Sequence, residues 1–366
     1  MTTVSSHTPD RSASIAQARH ALLVQGLGVP PTGMEPWIVR SWRRCLQAGR
    51  SPQHPLAFDG VSAAALRRDH DEHASLLRAA RPVLEHLTHA TGGMGYFTLL
   101  TNARGVVLDV TGPVDHHDPR AHAIGRRGID LSEASVGTAA IGAALTELHP
   151  VWLHRGEHFF DANGSYSCAG APLFDPQGRC VGMLDLTGVD VPERPELRHV
   201  LARSARALED ALLRQQPYAL LLRVNWPGAQ LGSEADGLMA LDADGYLLGC
   251  NSAARQLMPM PQQLPGTCLH CSDLLALDWP RLFDASTRGQ RVDLPLWSGL
   301  RLQAMAVRQS APGSAPAAAS ASLRETETEW IRSAVREARG NVAEAARSLG
   351  ISRATVYRKL GTRKNG

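Results

Sequence analysis

Lysine is nearly absent from this chain of 366 residues. Of 38 basic residues only two are lysines, Lys359 and Lys364, and both lie at the very end. A loop that cradles nucleotide phosphates finishes in Gly-Lys-Ser or Gly-Lys-Thr. Neither lysine follows a glycine, so no ATP-hydrolysing P-loop is expected. The arginine excess is read as genome base composition rather than mechanism. No apolar run approaches the roughly 18 residues of a membrane helix, so no membrane partner is expected. The N-terminus, "MTTVSSHTPDRSAS", lacks a basic-then-apolar signal, and residues 1–34 read as a disordered lead-in. Six irregularly spaced cysteines suit a reduced, cytoplasmic protein better than a disulfide scaffold. "CLHC" at Cys268–Cys271 has zinc-ligand spacing but lacks a second pair. "DHHD" at 115–118 reads as a solvated turn. No acid–base pair or nucleophile–base pattern stands out. Hence no catalytic residue, metal or cofactor is assigned, and an enzyme is not expected.

What is present is a basic, tightly punctuated tail. Ser322 followed by Glu325 has the pattern of a capping box, and Gly340 ends the helix that follows. Asn341 caps a second helix with Glu344 at the matching position. Ser352 caps a third, whose buried stripe is Val356 and Leu360. Two short helices joined by "LGIS" suit a helix-turn-helix. From Arg339 to Gly366 there are seven Arg or Lys and one acid, in a chain whose net charge is only +3. Such a basic end suggests phosphate binding. "SAPGSAPAAASAS", residues 310–322, reads as a flexible linker before it.

The segment "GNVAEAARSLGISRATVYRKL" resembles the Fis-type DNA-binding domain, over residues 323–366. The resemblance implies that Ser352, Arg353, Thr355, Arg358 and Lys359 face double-stranded DNA. It sets Asn341 at the start of the supporting helix, beside the phosphate backbone. Tyr357 sits where a further base or phosphate contact is expected. Arg353, at a helix start, can fork onto a guanine edge. Arg358 and Lys359 are better placed for phosphate.

Upstream, "MGYFTLLTNARGVVLDVTG" reads as a β-hairpin turning at Asn102–Gly105, and "SVGTAAIGAALTEL" as a helix. "APLFDPQGRCVGMLDL" reads as two strands, 171–174 and 180–186, around a Pro-Gln-Gly turn. A long helix, "PELRHVLARSARALEDALLRQ", follows. Helices over a twisted antiparallel sheet give an α+β fold. "SWRRC" (41–45), "LSE" (131–133), "GTAAIGAAL" (137–145), "EHF" (157–159), "CAGAP" (168–172) and "GMLDLTG" (182–188) together resemble the GAF sensor of acetoin-catabolism-type activators. The resemblance covers residues 35–215. Leu131 and Ala139 depart from the tryptophan and asparagine of that pattern. "GLMALDADGYLLGCNSAARQLM" reads as strand, hairpin, strand and a helix opened by Asn251. It looks like the start of a truncated PAS-like α+β module over 224–309, with "RVDLPLW" and "LRLQAMAV" as two more strands. A soft boundary is expected near 212–223.

The candidate ligand residues are Glu133, Thr138, His158, Cys168 and Asp185. Glu133, His158 and Cys168 either line a pocket or fix strand–helix contacts by hydrogen bonds. Nothing nearby in sequence lowers the Cys168 pKa, which argues against a redox sensor. "SVGTAAIGAAL" and "SCAGAPLF" hold no lysine or arginine. A buried anion would lack a partner there, and the resemblance to acetoin-type sensors implies a small alcohol, diol or hydroxy-ketone as effector. Relatives with this sensor and tail usually carry an AAA+ ATPase between them, and no P-loop for one exists here. The resemblances imply a ligand-responsive transcriptional regulator: a homodimer that binds DNA and a small effector, and works with RNA polymerase or a partner activator. The alternative is an architectural Fis-like protein that bends DNA through a non-sensing dimerisation region.

Overall fold

The computed structural model describes residues 11–26, 34–258, 260, 268–309, 335, 338, 341–348, 353 and 356. The chain divides into two compact units, Met1–Arg308 and Gln309–Gly366.

The first unit contains two five-stranded sheets. One is built from β1 (Tyr96–Asn102), β2 (Val107–Thr111), β3 (Val151–His154), β4 (Tyr166–Phe174) and β5 (Cys180–Val189). Its order is β2-β1-β5-β4-β3, and every neighbour is antiparallel. The β1–β2 turn closes where Asn102 Oδ1 accepts from the amides of Arg104 and Val106, and Gly105 takes φ +86°. The expected strands 171–174 and 180–186 extend to 166–174 and 180–189.

Strand periodicity sorts this sheet's residues onto two buried faces. Tyr96, Leu100, Ala169, Ala171, Leu184 and Leu186 meet α4 (Ala74–Ala90) and α8 (Leu197–Gln215). The α8 stripe Leu197, Leu201, Ala205, Leu208 and Leu212 has the spacing that one helical face requires. Phe97, Leu99, Tyr166, Cys168 and Met183 point the other way. Over them lie α1 (Arg11–Arg19), α2 (Pro36–Gln47), α5 (Pro119–Ile124), α6 (Glu133–Val136) and α7 (Ala140–Glu147). One further helix, α3 (Ala63–Glu72), is capped by Ser62.

Three expectations are corrected. The lead-in is not disordered throughout: from Arg11 it forms α1, which buries Ile15 and Ala18. Apolar residues at helical spacing outweigh the polar composition of the segment. "SVGTAAIGAALTEL" is not one helix. Gly137, at φ +67°, separates α6 from α7, and a Cβ there would lie 2.9 Å from the Phe160 ring. Finally, the second sheet begins before residue 224, with β6 (Leu220–Asn225).

That sheet also contains β7 (Gly237–Leu241), β8 (Leu247–Cys250), β9 (Arg291–Pro295) and β10 (Arg301–Arg308), in the order β8-β7-β6-β10-β9. The helices α9 (Ser252–Leu257) and α10 (Pro280–Arg288) flank it. Leu222, Met239, Leu294 and Leu302 form its core with Ala254 and Leu282. On the opposite face Leu213 of α8 packs on Leu221, Leu238 and Ala240, so α8 serves both sheets. Asn251 pins the join. Its Oδ1 accepts from the amides of Leu238 and Ala254, while Nδ2 donates to Asp210 and to the Asp236 carbonyl.

In the second unit α11 (Val342–Ser348) starts at Asn341, whose Oδ1 accepts from the amides of Ala343 and Glu344. Ala346 and Val356 are buried together beside Val335 and Val342. The expected cap at Ser322 and the linker 310–322 lie outside the described residues.

Candidate ligand cavity and DNA-binding unit

A small cavity lies between the first sheet and α6–α7. It is walled by Phe58, Ile124, Leu131, Val136, Ala139, Ala140 and Ile141, and its polar lining is His158, Asn163, Tyr166, Cys168, Asp185 and Thr187. The volume, about 20 Å³, is room for roughly one water. Strand register explains the polar cluster. Tyr166 and Cys168 on β4, and Asp185 and Thr187 on β5, all sit at even spacing on one face, and Cys168 pairs directly with Thr187.

His158 arrives from a loop that α1 and α2 hold down. Arg19 donates to the carbonyls of Gly156 and Phe159 at 2.9 and 3.0 Å. Arg11 pairs with the buried Glu157 at 2.7 Å, and the Trp42 indole donates to the Glu157 carbonyl at 2.9 Å. His158 Nδ1 meets the Arg155 carbonyl at 2.9 Å. Burial depresses its pKa to about 4, so the ring is neutral near pH 7.

Asp185 is 1% exposed. Burial raises its pKa to about 7, against the opposing hydrogen bond from Thr187. Cys168 lies 3.4 Å from Thr187 Oγ1. Burial, then the nearby Asp185 charge, push this thiol well above its ordinary value, the opposite of an activated nucleophile. Three lining residues each keep one buried polar atom with no partner: His158 Nε2, Asn163 Oδ1 and Asp185 Oδ1. Orphans of this kind are rare and costly.

The structure therefore brings His158, Cys168 and Asp185 together, and sets Glu133 and Thr138 apart from them. Glu133 opens α6 and faces α2, where its carboxylate accepts from Arg44 twice and from Ser41 once, each at 2.7 Å. Thr138 is fully buried beside the same helix, 2.7 Å from Ser41 Oγ and 3.8 Å from Cys45 Sγ. Neither lines the cavity; both fix α6–α7 to α2. Leu131 and Ala139, the two departures from the sensor pattern, do line the cavity.

Sequence reasoning missed Asn163, Tyr166 and Thr187 as lining residues. Tyr166 and Thr187 were within reach, each two residues from a named strand position. Asn163 sits in a short 3-10 turn with no periodic signal.

Of the named DNA-binding residues, Asn341 is exposed and caps α11, and Arg353 is helical and exposed. Ser352, Thr355, Tyr357, Arg358 and Lys359 lie outside the described residues. In "CLHC", Cys268 is exposed while Cys271 is buried in the second sheet's core. In "DHHD", Asp118 caps α5 and pairs with Arg120. No helix among the described residues is long and apolar enough to cross a membrane.

Comparison with known proteins identifies both ends of the chain. Residues 322–361 match the family described as bacterial regulatory protein, Fis family. The acetoin catabolism regulatory protein of Cupriavidus necator is 30% identical over 227 residues, which are 60% of this chain and 34% of that protein. The propane 2-monooxygenase operon transcriptional activator MimR of Mycolicibacterium goodii is 32% identical over 206 residues, 56% of this chain and 34% of that protein. The matches thus span about a third of these relatives' own length. The crystal structure of the E. coli DhaR(N)-DhaL complex is 14% identical, covering 75% of this chain and 100% of that chain with a TM-score of 0.46. Residues 12–210 match the family described as MimR, N-terminal domain, and this chain belongs to that family.

Proposed function

We propose that this protein is a ligand-responsive, DNA-binding transcriptional regulator without ATPase activity of its own. The observation that carries the reading is the cavity: three of its lining residues each keep a buried, unpartnered polar atom, in a chain that also carries a Fis-family segment over residues 322–361. A purely architectural protein has no use for such orphans, each of which costs about 1–3 kcal/mol. The first sheet and its helices act as a GAF-like sensor, and the second sheet as a PAS-like scaffold. The tail reads DNA through Arg353, Ser352, Thr355 and Tyr357, and grips phosphate through Arg358, Lys359 and the start of the Asn341 helix.

The cavity holds little more than a water, so any larger occupant displaces a wall. The wall that can move is α6–α7, which breaks at Gly137 and is tied to α2 through Glu133 and Thr138. Binding then biases an equilibrium between two packings of α2 on α6–α7, and that bias reaches the paired tails of a homodimer. The names of the relatives, which cite acetoin catabolism and a propane 2-monooxygenase operon, support a regulator of small-molecule metabolism, which in this reading is cytoplasmic and acts on RNA polymerase directly or through a partner activator.

Operator binding by the full chain is measured with and without small alcohols, diols and hydroxy-ketones. A ligand that both stabilises the protein and changes operator affinity supports the reading; operator affinity unmoved by every stabilising ligand sinks it. On the DNA side, Arg353→Ala should weaken operator binding by about 1–3 kcal/mol. Equal loss on operator and random DNA would reduce Arg353 to a phosphate contact.

A further inference from the structure

The unpartnered polar atoms of the residues that line the cavity are all acceptors once Asp185 is ionised. His158 Nδ1 lies 2.9 Å from the Arg155 carbonyl, which can only accept, so Nδ1 carries the ring hydrogen. The ring is neutral, and Nε2 is a bare lone pair without a partner. Asn163 Nδ2 donates to the Val136 carbonyl at 3.3 Å. That contact orients the amide and leaves Oδ1 as an unpartnered acceptor. Thr187 donates to Asp185 Oδ2, which leaves Asp185 Oδ1 unpartnered.

The hydroxyl and thiol hydrogens of the lining are already committed. Tyr166 donates to the Arg120 carbonyl at 3.0 Å. The Thr187 hydrogen goes to Asp185, so the Cys168 thiol is the donor in its 3.4 Å contact with Thr187 Oγ1. With Asp185 ionised, as at pH 8, three unpartnered acceptors therefore belong to residues that line a space to which no hydroxyl or thiol of the wall donates. No lysine or arginine lines it, so a carboxylate or phosphate would meet acceptors without a counter-charge. Ile124, Leu131 and Ile141 offer carbon to carbon.

We propose that the cavity takes a small, neutral molecule that donates at least two hydrogen bonds, a short-chain diol, to acceptors among His158 Nε2, Asn163 Oδ1 and Asp185 Oδ1. The inference rests on the sensing role above and narrows it. Diols satisfy the acceptors, hydroxy-ketones satisfy fewer, and diketones none.

Three four-carbon probes test this by calorimetry on the full chain at pH 8: 2,3-butanediol, acetoin and diacetyl, with two, one and no hydroxyl donors. Affinity should fall about tenfold for each donor lost, equivalent to about 1.4 kcal/mol. Diacetyl binding as tightly as the diol would overturn the donor inference and leave the sensing role intact. No heat and no thermal shift from any of the three would mean that the cavity holds only water, and would remove both. The variant His158→Phe keeps a ring in place and deletes Nε2. It should weaken the diol about tenfold and leave any diacetyl binding unchanged. Equal losses for the two would make His158 a mere wall and count against the proposal.

Discussion

The two sheets of the first unit have the same number of strands and the same antiparallel pairing, yet they treat buried polar groups in opposite ways. Among the described residues, every buried side-chain nitrogen or oxygen without a partner lies between Asp69 and Arg194, around the first sheet. In the second sheet's surroundings Asn225 donates to Asp236, and Asn251 makes four bonds. A satisfied network rigidifies, whereas unsatisfied atoms beside a cavity leave energy for a ligand to recover. On the function proposed above, the second sheet is the scaffold and the first the part that responds.

The largest test of that contrast is Asp185→Asn. The folded pKa of Asp185 is raised to about 7, against 3.8 for the ordinary group. Its contribution to stability is therefore greatest below the ordinary value and is lost as pH rises through the folded one. The variant has no charge to bury. Its advantage over the wild type should grow by about 1.4 kcal/mol per pH unit between pH 4 and 7, toward a total of about 4 kcal/mol. His158 works the other way: its pKa is lowered from 6.5 to about 4, so its contribution is lost as pH falls through that interval. In the wild type the two slopes oppose each other, and the variant uncovers the histidine's. Denaturant titrations at four pH values measure the gap; a constant gap would show that Asp185 ionises freely in the native state.

Next in size is Asn251→Ala, in the quiet sheet. The change removes a helix cap and leaves the Leu238 amide and Asp210 without their partner. A cost of about 3 kcal/mol is expected, from one cap and one or two stranded buried groups. Urea unfolding checks it. A loss under about 1 kcal/mol would show that water replaces these bonds, and that the second sheet is looser than its hydrogen bonding implies.

The comparison also shows what a sequence displays. Alternation and turn residues announced both hairpins, and "GCNSAARQLM" announced the Asn251 cap, because each of these signals is local. His158, Cys168 and Asp185 were legible as polar residues in apolar surroundings. Glu133 and Thr138 carried the same signal and turned out to bind α2. Their partners Ser41 and Arg44 lie some 90 residues away, so only the fold reveals which surface they face. Helix α1 was hidden for a similar reason. Its sequence is mostly polar, and besides the buried Ile15 and Ala18 it is held by Arg11 on Glu157 and Arg19 on the carbonyls of that distant loop.

A smaller effect is expected where the responsive face is latched. Arg44 reaches Glu133 through two nitrogens, and both side chains are partly open to solvent, at 37% and 18%. Screening limits such a pair, while the two-pronged geometry favours it, so a coupling of about 1 kcal/mol is expected. A double-mutant cycle of Arg44→Ala and Glu133→Gln measures it. Strict additivity would mean that α2 is not tied to α6 by this contact, and a ligand in the cavity would need another route to α2.

The smallest effect should come from Asn163→Ala, the cavity's counterpart of Asn251→Ala. The side chains are chemically identical and both are about 3% exposed, so burial alone predicts equal costs. Bonding does not. Asn163 makes one long contact, 3.3 Å to the Val136 carbonyl, and keeps an unpartnered Oδ1. Its removal deletes a weak bond and an orphan together, and the two nearly cancel. A change within about 0.5 kcal/mol of the wild type is expected, of either sign. The thermal midpoint should barely move, while affinity for a diol falls. If Asn163→Ala instead costs as much as Asn251→Ala, then Oδ1 already holds a structural partner such as a bound water. One of the cavity's three orphans would then be satisfied, and the contrast between the two sheets would weaken at the cavity itself.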